Sequence, residues 1–172
     1  PVAAGMAGGS SNAAAILVGL NKLWNLNLSN QQLEKIGLKL GADVPFCING
    51  GAVLASGIGE ELTPIKGLTK DVCILVCKPD LFVSTKEVYE CIDSKDIDKR
   101  PNNKFLIECL KNEDTRQLAE NMFNVLEGVT VEMHPVIQQI KDIMITNKAL
   151  GAMMSGSGPT VFGLYENKED AY

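Results

Sequence analysis

Pro1-Val2-Ala3-Ala4-Gly5-Met6-Ala7-Gly8-Gly9-Ser10-Ser11 opens the chain and runs straight into an apolar pattern at helical spacing. Glycines and small side chains let backbone N–H groups come close to a ligand. The helix that follows adds unpaired N–H groups and the positive end of its dipole. The hydroxyls of Ser10 and Ser11 stand where a phosphate, or a Mg2+ carried on one, would sit. No carboxylate precedes Glu34, and Lys22 is the one charged side chain before it, which suits an anion site. A tight turn with a serine N-cap is the plainer alternative for the same letters. The segment is not a Walker A loop, since it contains no Gly-Lys-Ser or Gly-Lys-Thr.

Working outward, Leu17, Leu20 and Trp24 recur at helical spacing and predict a helix over 12–25, with Asn21, Lys22 and Asn25 on its polar face. Ser29-Asn30-Gln31-Gln32 has the form of a capping box, and Leu33, Ile36 and Leu40 continue as a stripe up to a stop at Gly41. Gly41-Ala42-Asp43-Val44-Pro45 then places one carboxylate between a helix-stopping glycine and a proline. Backbone constraint and small neighbours predict that Asp43 is held in place and partly shielded from water, where it could orient or deprotonate a hydroxyl. The commoner fate of such an Asp is a hydrogen bond to its own turn. Ala52–Ser56 and Leu62–Ile65 read as a hairpin joined across 57–61.

Near Gly67 the texture changes: glycine is dense up to that point and absent from Leu68 to Glu127. Val72–Cys77 is a continuous apolar run of strand length. Ser84 or Thr85 caps a short helix through Cys91, a polar loop covers Ser94–Asn103, and helical patterns occupy 104–111 and 114–127. Pro135 suits the first turn of a helix to about Asn147. Ala149–Met154 and Thr160–Tyr165 read as strands around Ser155-Gly156-Ser157-Gly158-Pro159. That second Gly/Ser segment is a hairpin turn or, if it folds beside the first, the other half of a polyphosphate cradle. The order of elements predicts an α+β chain of two units, with a boundary between residues 66 and 67.

The 172 residues carry 16 Lys and Arg against 21 Asp and Glu, a net charge of −5, with 45% hydrophobic and 22% charged residues. This composition excludes a disordered chain, and the acidic balance argues against general nucleic-acid binding. No stretch approaches the roughly 20 apolar residues of a membrane span. Cys47, Cys73, Cys77, Cys91 and Cys109 have mostly apolar neighbours, no C-x-x-C pair, and a distant single histidine, His134. They read as buried free thiols of a cytoplasmic protein rather than as metal ligands, and His134, before Pro135, reads as structural or solvent-facing. Both ends read as cut, Pro1 entering a motif at once and 166–172 resembling the first turn of a helix.

The three segments Pro1–Ala15, Leu40–Gly59 and Gly151–Phe162, in this order, resemble the GHMP kinases, the superfamily of galactokinase, homoserine kinase and mevalonate kinase. The similarity runs over essentially all 172 residues, more loosely between about 94 and 130. LGADVPF and GIGE point within it to the branch that phosphorylates the 2-hydroxyl of 4-diphosphocytidyl-2-C-methyl-D-erythritol on the methylerythritol phosphate route to isoprenoids.

The resemblance implies a two-domain architecture. Residues 1–66 would be the C-terminal part of a ribosomal protein S5 domain 2-like, ATP-binding domain without its first strands. Residues 67–172 would be a ferredoxin-like α+β domain. It further implies ATP as co-substrate with Mg2+, and phosphate contacts from Pro1, Val2, Ala3, Ala4, Gly5, Met6, Ala7, Gly8, Gly9, Ser10 and Ser11. Ser155, Gly156, Ser157 and Gly158 would complete that site at the domain cleft, and Asp43 would be the catalytic aspartate. Family members carry a further segment ahead of this point that supplies a catalytic lysine and much of the cytidine pocket; no lysine here matches it. Another small-alcohol kinase of homoserine or mevalonate type, or an inactive nucleotide-binding fragment, remain the alternatives.

Overall fold

In the computed structural model, which describes residues 4–172, α1 spans Gly8–Leu23 and starts from Ala7 in a left-handed conformation (φ 46°, ψ 31°). The spacing of apolar residues predicted a start near residue 12. The helix begins four residues earlier because Ala7 itself makes the turn and the Gly-Gly-Ser-Ser run becomes the first helical turn. α2 (Asn30–Leu38) opens on the predicted capping box: Ser29 Oγ accepts from Gln32 N at 3.4 Å, and Gln32 Oε1 accepts from Ser29 N at 2.8 Å. α3 (Val44–Asn49) has no counterpart in the sequence reading; Pro45 at its second position is the available signal. β1 (Val53–Ser56) and β2 (Glu61–Pro64) form the predicted antiparallel hairpin, with Val53 opposite Pro64 and Ser56 opposite Glu61.

These elements lie in one compact unit, Ala7–Gly67. Its small core gathers Ala14, Leu33 and Val44, all at most 3% exposed. The close approach of α2 and α3 needs a glycine, since a Cβ at Gly37 would lie 2.7 Å from Val44 Cγ1. Of the expected stripe of α1, Leu17 and Leu20 are half-buried and Trp24 is exposed; Ala14 is the buried residue of that helix, and Ile16 and Leu23 are exposed.

Residues 4–6 and Leu68–Tyr172 make the second unit. β3 (Cys73–Cys77), β4 (Gly151–Met154) and β5 (Val161–Tyr165) form a three-stranded antiparallel sheet in the order β3-β5-β4. The Val72–Cys77 run forms the expected strand, β3, at the edge of the sheet with Ile74, Leu75 and Val76 exposed, while β5 at the centre carries the buried Val161, Leu164 and Tyr165. Burial holds the Tyr165 phenol above its ordinary pKa.

The helices are α4 (Thr85–Asp93), α5 (Asn103–Asn112), α6 (Thr115–Asn121), α7 (Glu127–Met133) and α8 (Val136–Thr146). Side-chain caps from Ser84, Asn102 and Asp114 start α4, α5 and α6. The single helix expected over 114–127 is broken between Met122 and Leu126, where the chain goes extended (Met122 φ −57°, ψ 136°). Ile137 and Met144 of α8 pack on Met154 and Val161 of the sheet, and a neighbouring cluster joins Val83, Val88 and Val129. All five cysteines are free, but only Cys109 is buried; the other four are half-buried, which corrects the expectation for them. Among the described residues no helix is long and apolar enough to cross a membrane.

Candidate active site

Two of the singled-out segments meet within the first unit. The first three amides of α1, those of Gly8, Gly9 and Ser10, precede the intrahelical ladder, and no side chain caps them. Ser11 Oγ, one position further, lies 3.6 Å from Cys47 Sγ on α3. A methyl group placed on Gly41 would sit 3.9 Å from Ser10 Oγ, so that hydroxyl stands beside the turn that leads into α3.

Asp43 is the N-cap residue of α3, yet its side chain makes no capping hydrogen bond. The reason is local: its ψ of −10° is helical rather than extended, and one of the two amides an N-cap oxygen reaches belongs to Pro45, which has no N–H. The carboxylate is therefore not engaged in its own turn. It is also exposed, where the sequence reading expected partial shielding. An exposed, uncommitted carboxylate near a bare helix N-terminus with two hydroxyls combines a proton acceptor with an anion-binding end.

The third segment meets the start of the first within the second unit. Ser155 Oγ donates to Gly5 O at 2.6 Å. Gly5 has φ +68°, and a Cβ there would lie 2.0 Å from Ser155 O, so this position admits only glycine without displacement. Ser155–Gly158 is a tight turn between β4 and β5, closed by Ser155 N to Thr160 O at 2.8 Å and Gly158 N to Ser155 O at 2.9 Å. Thr130 Oγ1 donates to Ser157 O at 3.2 Å, and Ser157 Oγ lies 2.8 Å from Thr85 Oγ1. Asn124 Nδ2 donates to Met154 O and Gly156 O, both at 2.8 Å. Glu127 accepts from Met154 N at 2.7 Å and pairs with Lys141.

Of the sequence-predicted residues, Ser10, Ser11 and Asp43 thus share one neighbourhood, and Gly5 shares another with Ser155–Gly158. Pro1, Val2 and Ala3 lie outside the described residues. Asn124, Glu127 and Thr130 escaped the sequence reading. Their spacing of three residues is visible, but it straddles the end of the helical pattern over 114–127. His134 ends α7 through its backbone N–H to Thr130 O at 2.8 Å. Among the described residues no three His, Cys, Asp or Glu side chains gather as a metal site.

The model for the GHMP kinases N-terminal domain matches residues 1–51, and that for the GHMP kinases C-terminal region matches residues 106–172. The chain belongs to the GHMP kinases. Both Gly/Ser segments fall inside the stretches that match, and so does Asp43. A protein of Clostridioides difficile (strain 630) named 4-diphosphocytidyl-2-C-methyl-D-erythritol kinase is 68% identical over 171 residues, covering 99% of this chain and 58% of its own length. A crystal structure of a 4-(cytidine 5'-diphospho)-2C-methyl-D-erythritol kinase aligns with TM-score 0.81 at 32% identity, over 99% of this chain and 60% of that one. A homoserine kinase from Cytophaga hutchinsonii aligns with TM-score 0.85 at 21% identity, over 99% of this chain and 59% of that one, which shows the GHMP fold alone. The chain spans a little under three fifths of the length of the Clostridioides protein it matches.

Proposed function

We propose that the protein transfers the γ-phosphoryl group of MgATP to the 2-hydroxyl of 4-diphosphocytidyl-2-C-methyl-D-erythritol, in non-mevalonate isoprenoid precursor synthesis. The observation that carries this is the 68% identity over 171 residues with the Clostridioides difficile kinase of that name. In this reading residues 1–66 belong to the ATP-binding domain and 67–172 to the C-terminal domain. The segment Pro1–Ser11 and the turn Ser155–Gly158 contact the nucleotide phosphates. Support comes from the uncapped amides of α1, the hydroxyls of Ser10 and Ser11, and the packing of Gly5 on Ser155.

The chemistry asks for positioning and charge neutralisation more than for covalent help. The substrate oxygen attacks the γ-phosphorus, the bond to the β-phosphate oxygen breaks, and ADP departs with that electron pair. Asp43 orients the hydroxyl and takes its proton; its lack of a capping bond supports this role. Mg2+ bound with the nucleotide would neutralise phosphate charge, and Ser10 and Ser11 would offer it hydroxyl ligands. The protein acts in the cytoplasm on small molecules, with neither nucleic acid nor membrane as partner.

An ADP-release assay on the complete polypeptide with the cytidyl substrate, homoserine and mevalonate tests the reading. Turnover is expected with the cytidyl alcohol. A higher kcat/KM for homoserine or mevalonate overturns the substrate, and ATP binding without turnover on any acceptor overturns the activity.

A further inference from the structure

The turn Ser155–Gly158 is held by side chains that reach it from elsewhere in the second unit, and one of them controls which way its peptides face. Asn124 lies in the extended break between α6 and α7. Its two amide hydrogens go to Met154 O and Gly156 O, while its Oδ1 accepts from Leu126 N at 3.0 Å. Every hydrogen-bonding position of the side chain except one lone pair is therefore committed. With Ser155 O taken by Gly158 N and Ser157 O by Thr130, all four carbonyls from 154 to 157 have partners.

In a trans peptide the C=O of one residue and the N–H of the next point in opposite directions. The bond from Asn124 to Gly156 O therefore turns the Ser157 N–H away from Asn124. The bond from Gly158 N to Ser155 O likewise turns the Gly156 N–H away from Gly158. Among the described residues neither of these two amides has a hydrogen-bond partner, although both neighbours in the turn, Ser155 and Gly158, do. Consecutive unpaired amides with a left-handed residue between them (Gly156, φ 56°) form a concave anion-binding nest.

We infer that Asn124 is a positioning residue: by drawing the Gly156 carbonyl to itself, and holding the turn at Met154 O, it presents the Ser157 amide to a nucleotide phosphate beside the Gly156 amide that the turn's own bond orients. Glu127 and Thr130 share the task from α7, fixing Met154 N and Ser157 O. Asn124 touches no substrate in this scheme; it acts through the backbone of the turn. The inference rests on the reading of Ser155–Gly158 as a phosphate contact.

The test uses Asn124→Asp in the complete polypeptide. This variant keeps the size of the side chain and the oxygen facing Leu126, but replaces the donor to the two carbonyls with an acceptor. Thr130→Val, equal in size and lacking the donor to Ser157 O, serves as the second variant if the first does not fold. Two readouts are taken: hydrogen exchange of the Ser155 and Gly158 amides, and the KM for MgATP against that for the alcohol. The expected result is exchange faster by roughly 10–100-fold, a MgATP KM raised by a similar factor, and an unchanged alcohol KM. Unchanged exchange in a folded variant overturns the role of Asn124 and leaves the phosphate contact standing. Faster exchange with an unchanged MgATP KM overturns the phosphate contact and the inference together. Equal losses toward both substrates reduce the residue to a structural one and also overturn it.

Discussion

The groups of interest in the two units are held in opposite ways. In the first unit, Asp43 has no capping bond, the first amides of α1 have no side-chain cap, and Ser11 has one long contact to Cys47. In the second, Ser155, Ser157 and the peptides between them are tied to Gly5, Thr85, Asn124 and Thr130. A group with no structural duty can be removed at the expense of chemistry alone, whereas a group woven into the framework takes stability with it. The contrast therefore separates residues whose loss is read in turnover from residues whose loss is read in unfolding.

The sharpest break of this contrast is Asp43→Asn. Turnover of the complete polypeptide is expected to fall by about 10²–10⁴-fold, while nucleotide affinity and the urea midpoint stay where they are. A drop in the midpoint would show that the carboxylate carries structure after all. Gly5→Ala comes next, because it belongs to the first Gly/Ser segment by sequence and to the second unit by packing. With a Cβ 2.0 Å from Ser155 O and φ +68°, it is expected to cost roughly 2–4 kcal/mol in urea unfolding.

Gly9→Ala, four residues on, meets nothing within 4 Å inside α1 and is expected to raise stability by about 0.5–1 kcal/mol. The same change is expected to weaken MgATP binding by roughly ten-fold in a calorimetric titration, since it obstructs the backbone approach. Opposite signs of stability change at Gly5 and Gly9 would place the division between the two units inside the motif.

The smallest effect tests the framework away from the turn. Lys148 donates to Asp170 at 2.6 Å, which holds the Asp170 carboxyl below its usual range, with Asn167 adding a second donor. The same bond raises the Lys148 ammonium above its ordinary pKa. The Asp170 contribution is present above the unfolded carboxyl pKa of about 3.9 and is lost as pH falls through the lower folded value. The Lys148 contribution is present below about 10.4 and is lost as pH rises through the raised value. Lys148→Met is expected to lower the urea midpoint slightly across the neutral region and so to flatten both edges of its plot against pH, leaving the acid and alkaline extremes unchanged.

What was legible in the sequence was whatever local chemistry determines. The Ser29–Gln32 capping box, the hairpin of 53–64 and the strands around Ser155–Gly158 all follow from residues within a few positions of one another. The helix start at Ala7 was not legible, because a left-handed alanine leaves no mark in composition. The break of 114–127 was missed for a different reason. It is made by Asn124 bonding a strand some 30 residues later, a pull that no local pattern records. The absence of a capping bond at Asp43 rested on a detail that was readable, the missing N–H of Pro45, but only once α3 was known to be a helix. Juxtapositions such as Gly5 with Ser155 belong to the tertiary fold; the family resemblance implied them, and periodicity did not.

The hydrogen bond from Ser155 to Gly5 joins residues 150 apart in sequence. On a ribosome, Gly5 emerges long before the strands that hold its partner exist. The bare start of α1 can form early, from local bonds, but residues 4–6 have to wait for β4 and β5. Closing so long a loop carries an entropic cost that must be met before the contact returns anything, so this contact belongs to a late step of folding. The Gly-rich segment is thus assembled in two instalments, and its docking onto Ser155 reports that the second unit has been completed.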